Sequence, residues 1–195
     1  MAGCDGVFTA DPRGGHELYG RNGKAIVRSR DHGLTWQVLT TLPANVRDLA
    51  YDPAHDRVYA AAEDQNLYQC DGPGYAPVNI HDRLPKDQHG DGFMTSTLAV
   101  DPTDPDVVYA GANGTGLFIR RSNGVARSLD GGHTWEALTD NPKYCPAGMT
   151  GGNMASALRV HPRTHELFVG TDCYGMWRFP APARPHLTQR AAGKP

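Results

Sequence analysis

Apolar residues fall in short runs along this chain, four to six at a time, rich in aromatic and β-branched types and separated by turn-forming positions. No apolar spacing of 3.6 residues persists over three turns, so the pattern predicts strands and not amphipathic helices. The runs come in a fixed order, four times over. Each unit has an apolar strand ending in Asp-Pro or His-Pro, a polar turn, a second strand, a Gly/Asn-containing turn, and a third strand. The units are GVFTADPRGGHELYG with Asp11-Pro12, VRDLAYDPAHDRVYAAAEDQNLYQ with Asp52-Pro53, STLAVDPTDPDVVYAGANGTGLFI with Asp101-Pro102, and SALRVHPRTHELFVGTDCYGMWRF with His161-Pro162. Proline cannot donate to a ladder, so it ends the first strand, and the residue before it is biased toward an extended backbone.

The proline steps are 41, 49 and 60 residues, close to the ~40–50 residues of a four-stranded propeller blade with the excess in loops. The expectation is an all-β chain, a β-propeller of four-stranded antiparallel blades with about four blades present. The approximate repeats are 6–45, 46–94, 95–155 and 156–179, and 180–195 forms a Pro-rich, flexible tail.

Two segments carry a sharper motif. Ser29-Arg30-Asp31-His32-Gly33-Leu34-Thr35-Trp36 and Ser128-Leu129-Asp130-Gly131-Gly132-His133-Thr134-Trp135 both read S-x-D-x-G-x-T-W. They resemble the Asp-box, or BNR repeat, of sialidases, xyloglucan-cleaving glycosidases, sortilin-type receptors and photosystem assembly factors. The resemblance implies a hairpin between the third and fourth strands of a blade. A short carboxylate such as Asp31 or Asp130 suits backbone N–H groups across such a loop. Gly33 and Gly132 permit positive φ, and Trp36 and Trp135 bury rings between blades. Ser29, Thr35, Ser128 and Thr134 complete the structural set. A third, decayed copy is CDGPGYAPV, with Tyr75 near the Trp position. In related propellers the box faces away from the ligand.

A propeller hides its blade faces by closing into a ring. Four blades with the last one lacking a fourth strand imply an incomplete ring, part of a seven- or eight-bladed whole. A fragment of a larger propeller is the favoured expectation, self-pairing to about eight blades comes next, and a small four-bladed ring is third.

Composition narrows the partners. A net charge of −2 at neutral pH gives no electrostatic footprint for nucleic acid, and no stretch approaches the length of a membrane span. The start MAGCDGVFTADPRGG has neither the basic nor the apolar region of a signal peptide, whereas the resemblance points to an extracytoplasmic setting. Cys4, Cys70, Cys145 and Cys173 show no CxxC or zinc-type spacing, so free buried thiols are expected, with a Cys145–Cys173 disulfide the alternative in an exported chain.

Chemistry is sought on the loops opposite the boxes. The connection around residues 80–95 carries His81, Asp82, Lys86, Asp87, His89 and Asp91, and that around 139–154 carries Asp140, Lys143, Tyr144 and Met149. Loops this long tend to be functional or mobile. His81, Asp82, His89, Asp91 and Tyr144 are the ligand-binding candidates, Tyr144 and His81 because a flat ring with a polar tip stacks on a sugar or a peptide. The His/Asp spacing fits no EF-hand or HExxH pattern, so neither a metal nor another cofactor is expected.

One turn bears on catalysis. Thr171-Asp172-Cys173-Tyr174-Gly175-Met176-Trp177-Arg178-Phe179 resembles the T-D-x-G-G-x-Y-R-W turn of xyloglucan-cleaving glycosidases, whose Asp is catalytic, with Tyr174 in place of the first Gly. Sialidase activity is excluded, since there is no Arg-Ile-Pro motif near the start and no arginine triad with a Tyr–Glu pair. The leading expectation is therefore a binding module for a glycan or protein partner, leaning away from catalysis. The alternatives are a portion of a xyloglucanase-like glycoside hydrolase with Asp172 as one catalytic carboxylate, and a complex assembly factor.

Overall fold

The computed structural model of the chain describes residues 3–6, 8–11, 14, 16–86, 92–112, 124–139, 155–171 and 175–183. These form four antiparallel sheets, each a simple meander in chain order. The first holds β1 (Phe8–Ala10), β2 (Leu18–Asn22), β3 (Ala25–Ser29) and β4 (Gln37–Thr41), and the second β5 (Val46–Asp52), β6 (Arg57–Ala62), β7 (Leu67–Asp71) and β8 (Ala76–Asn79). The third holds β9 (Thr95–Val100), β10 (Val108–Ala112), β11 (Val125–Ser128) and β12 (Glu136–Ala137), and the fourth, among the described residues, β13 (Ala155–Val160), β14 (Leu167–Thr171) and β15 (Met176–Phe179). The expected all-β architecture of propeller blades is what the chain adopts. Apart from one 3-10 turn at His81–Arg83, no helix occurs among the described residues.

Side chains on a strand alternate between faces, and here both faces of the middle sheets are buried. On β6, Val58, Ala60 and Ala62 enter a core against the first sheet, with Tyr19, Ile26, Leu49 and Tyr51. Tyr59 and Ala61 enter a second core against the third sheet, with Leu98, Val108 and Ala126. The third core joins Tyr109 and Val125 to Leu158, Leu167 and Val169 of the fourth sheet. Two-sided burial explains why strands such as RVYAAA read as continuous apolar runs. Each large side chain buried this way is worth about 1.5–3 kcal/mol.

A meander puts the turns after first and third strands at one end and the remaining turns at the other. Hydrogen bonds tie each end together. At the hairpin end Gly72 N donates to Asp56 O (2.8 Å) and Gly131 N to Asp106 O (2.9 Å). At the opposite end Val46 N donates to Gly23 O (3.0 Å), Glu63 N to Asn45 O (2.8 Å) and Thr95 N to Gln65 O (3.2 Å).

The strand-ending Asp-Pro steps do more than stop a ladder. Asp52 Oδ1 accepts from the N–H groups of Ala54 and His55, and Asp101 Oδ1 from those of Thr103 and Asp104. In the fourth sheet His161 Nδ1 accepts from Arg163 N and Thr164 N. Each is a side-chain cap on a tight turn. That role accounts for His-Pro standing where the other repeats have Asp-Pro, since a neutral imidazole offers the same acceptor.

Candidate functional site

The two S-x-D-x-G-x-T-W hairpins have one construction. Ser29 Oγ donates to Asp31 Oδ1 (2.8 Å) and accepts from Gly33 N (2.8 Å). Thr35 gives both its N–H (2.8 Å) and its hydroxyl (2.6 Å) to Asp31. Ser128, Asp130, Gly132 and Thr134 repeat every one of these bonds. The Trp36 and Trp135 indole N–H groups each donate to the glycine carbonyl three residues back, at 3.0 and 3.2 Å. Gly33 and Gly132 take φ of 89° and 84°, a region L side chains avoid. Hydroxyl and amide donors from Thr35, then Ser29, hold the Asp31 carboxyl down to about 2, and those of Thr134 and Ser128 lower Asp130 likewise against the opposing effect of burial. A carboxylate so saturated with donors is a poor proton acceptor.

The hairpin at 128–135 also binds the neighbouring sheet. Gly131 O accepts from the Tyr59 hydroxyl (2.8 Å) and Arg57 Nη1 (3.1 Å), and Gly132 O from Arg83 Nη1 (3.2 Å). In the second sheet the turn at 71–76 docks differently. Tyr75 is buried between the first two sheets, its hydroxyl donating to Asp56 Oδ1 (2.7 Å) and accepting from Arg28 Nη1 (3.3 Å).

Of the loop candidates, His81 and Asp82 are described; His89, Asp91 and Tyr144 lie outside the described residues, as do Asp172, Cys145 and Cys173. His81 and Asp82 sit in the 3-10 turn after β8. This segment leans on its neighbour: Ile80, Leu84 and Phe93 are buried in the second core while Arg83 reaches the Gly132 carbonyl. The His81 ring is half-buried, and burial lowers its pKa, so it is neutral at neutral pH. Its Nδ1 has no hydrogen-bond partner among the described residues. Gly92 closes against the ring, where a Cβ would stand 3.0 Å from Nε2. Asp82 is exposed. Among the described residues no cluster of three metal-ligating side chains occurs. Cys70 is a free thiol, buried and pushed up to about 12, hence inert.

A further feature carries no motif and is invisible in the sequence. The first strands β1, β5, β9 and β13 converge on a cavity of about 350 Å³, lined by Thr9, Asp48, Tyr51, Leu98, Pro102 and Arg159 among others. Each of β5, β9 and β13 carries a register shift near its start, at Arg47, Ser96 and Ser156. Beyond the shift, Asp48 Oδ2 accepts from Thr97 Oγ1 and Leu98 N, both at 2.8 Å. Burial raises the Asp48 pKa despite these bonds and the nearby Arg159 charge. A desolvated carboxylate in a concave polar site is a recognised signature of ligand chemistry, and equally of a structural cross-link. Here it joins β5 to β9.

No family model matches the chain. Over 126 residues, 63% of the chain, it is 30% identical to the xyloglucanase Xgh74A of Acetivibrio thermocellus, and this chain spans only 15% of that enzyme's length. Among solved structures, an ancestral GH74 enzyme superposes on 91% of the chain with a TM-score of 0.64 at 14% identity, the chain covering 24% of it. YCF48 bound to D1 peptide superposes on 89% with a TM-score of 0.54 at 14% identity, the chain covering 49% of it. The sequence similarity is to xyloglucanases; the structural matches establish the propeller fold alone.

Proposed function

We propose that the chain is an Asp-box β-propeller module that binds a glycan, a branched β-glucan of the xyloglucan type, on the face opposite its boxes. The supporting observation is the saturation of the hairpin end. Its carboxylates, hydroxyls and glycine carbonyls are engaged in the fold's own bonds, so the long connections and the mouth of the axial cavity are the surfaces with polar groups to offer. Similarity to a xyloglucanase supplies the ligand class. Tyr144 and His81 serve as stacking groups, because a sugar ring presents C–H groups to a flat side chain and hydroxyls to its polar tip. His89, Asp82 and Asp91 are hydrogen-bonding groups for the glucan hydroxyls.

Calorimetric titration of the whole chain with a xyloglucan heptasaccharide tests this. Binding that Tyr144→Ala weakens by about tenfold or more, with far-UV circular dichroism unchanged, supports the assignment. No heat with the glucan, alongside capture of an extended peptide, replaces it with the protein-binding reading that YCF48 bound to D1 peptide brings to mind.

The same similarity favours a second reading, a portion of a glycoside hydrolase with Asp172 as one carboxylate. Glycosidic cleavage needs a second carboxyl group about 5–10 Å away. New reducing ends that vanish in Asp172→Ala support hydrolysis; reducing ends formed equally by that variant, or none at all, exclude Asp172 as a catalyst.

A further inference from the structure

Nine histidines punctuate the chain, and three of them are visibly tied into the fold. His55 Nδ1 meets the buried Asp52 carboxylate at 2.7 Å, and His165 Nδ1 meets Asp101 across two sheets at 2.7 Å. His161 Nδ1 accepts from two backbone N–H groups of its own turn. His16 and His32 differ. Among the described residues neither ring has a hydrogen-bond partner; the two rings meet each other instead, with centroids 4.3 Å apart and planes tilted by 55°. Both residues are exposed.

Two turns of one sheet assemble this pair. His16 lies in the turn between β1 and β2, and His32 in the S-x-D-x-G-x-T-W hairpin between β3 and β4, which the meander brings to the same end. Sixteen residues apart in the chain, they match no metal motif, and only the folded sheet shows them as neighbours. Both hosts are held firmly. Ser29, Asp31 and Thr35 lock the hairpin. Glu17, next to His16, accepts from the Tyr19 hydroxyl (2.8 Å) and from Arg30 Nε (3.0 Å), so an ion pair joins turn to hairpin beside the rings. Those bonds occupy the nearby carboxylates, Glu17 and Asp31, and leave the imidazole nitrogens as the uncommitted electron-pair donors.

Backbone conformation marks His32 a second time. Its φ is 59°, in the left-handed region, and the third-sheet hairpin places Gly131 at the same point with φ of 66°. Glycine adopts this conformation freely, whereas a side chain there is strained. The Ser-Asp-Gly-Thr bonds are the same in both hairpins, so the construction of the hairpin gives no reason for a histidine.

We propose that His16 and His32 form a two-imidazole site for a borderline divalent cation, zinc or copper(II), at the hairpin end of the first sheet. Imidazole nitrogen suits these ions, while magnesium and calcium take oxygen. With metal–nitrogen bonds of about 2.0–2.1 Å, two imidazoles on adjacent coordination positions hold their ring centroids about 4.5–5 Å apart. The observed 4.3 Å reaches that range by small rotations of two exposed side chains. Each ring binds through one neutral nitrogen and water fills the remaining positions, so the site is open, unlike a closed structural zinc centre. It lies opposite the proposed glycan face and is independent of that reading.

Calorimetric titration of the whole chain with zinc chloride tests the site. The expected result is a binding event that His16→Asn and His32→Gly each weaken by about tenfold or more, with the double variant no weaker than either single one, because one imidazole alone does not chelate. His32→Gly installs the residue that the third hairpin carries, so the urea midpoint is kept or raised and loss of zinc is not loss of folding. Substoichiometric copper(II) gives an electron paramagnetic resonance spectrum with two equatorial nitrogens, and either substitution removes that pattern. Zinc affinity retained in both variants, a copper spectrum indifferent to them, or no binding at all overturns the proposal. So does binding that is lost in His133→Asn instead.

Discussion

At residue scale, the shared motif is a short acceptor that fills a turn. Asp52, Asp101 and His161 each accept two backbone N–H groups two and three residues ahead. Asp101 does more, since its second oxygen meets His165 Nδ1 of the next sheet at 2.7 Å. Asp101→Ala removes the acceptor shared by the Thr103 and Asp104 N–H groups and the contact with His165, and is expected to cost about 1–2 kcal/mol, read as a drop in urea midpoint at unchanged slope. His161→Asp keeps the acceptor and is expected within about 1 kcal/mol of the parent. The hairpin carboxylates respond to acid. Asp31 is held below its ordinary 3.8, to about 2. Its contribution is therefore intact above the ordinary value and is lost as pH falls through the depressed one. Thr35→Val removes the principal donor hydroxyl, and a carbon-detected NMR titration of the Asp31 carboxyl is expected to move up toward 3.8. Asp48 has the opposite sign. Its raised pKa means stability present below the ordinary carboxylate range and lost as pH rises through the raised value. Relative to Asp48→Asn, the parent should therefore gain stability as pH falls through the raised value toward the ordinary carboxylate range, measured by urea midpoints.

At the scale of the element, the hairpin and its neighbouring strand act as a pair. The Tyr59 hydroxyl and Arg57 share the Gly131 carbonyl, so Tyr59→Phe removes one of two donors and is expected to cost about 1 kcal/mol in urea unfolding. Gly132→Ala meets two obstacles, a φ of 84° and a Cβ only 3.2 Å from Tyr59 Cε1. A loss of about 1–3 kcal/mol is expected in the same measurement. The strands were legible because two-sided burial writes unbroken apolar runs, and the hairpins because their bonds demand Ser, Asp, Gly, Thr and Trp at fixed offsets. The 3-10 turn at His81–Arg83 was not legible. Its position follows from Ile80, Leu84 and Arg83 engaging the third sheet, contacts set by a segment about fifty residues further along.

For the whole molecule, burial distinguishes equivalent residues by what stands beside their sheet. Leu67 and Met176 occupy one repeat position, the first fully buried and the second 72% exposed. Leu67→Ala is expected to cost about 2–5 kcal/mol. Met176→Ala should cost no more than about 0.5 kcal/mol. Urea midpoints at unchanged slope separate the two.

The sequence by itself determined the repeat, its strands and the hairpins. Each of these depends on residues within a few positions of one another, where periodicity and turn chemistry act directly. Only the tertiary structure decided that β1, β5, β9 and β13 share one cavity, and that Asp48 lies there bonded to Thr97. It also decided that the His81 turn is drawn onto a neighbouring sheet. Those relations join residues far apart in the chain, and no local pattern encodes which sheet face will meet which. An isolated Asp at a strand start looks the same whether it faces water or a desolvated axis; packing alone sets its chemistry.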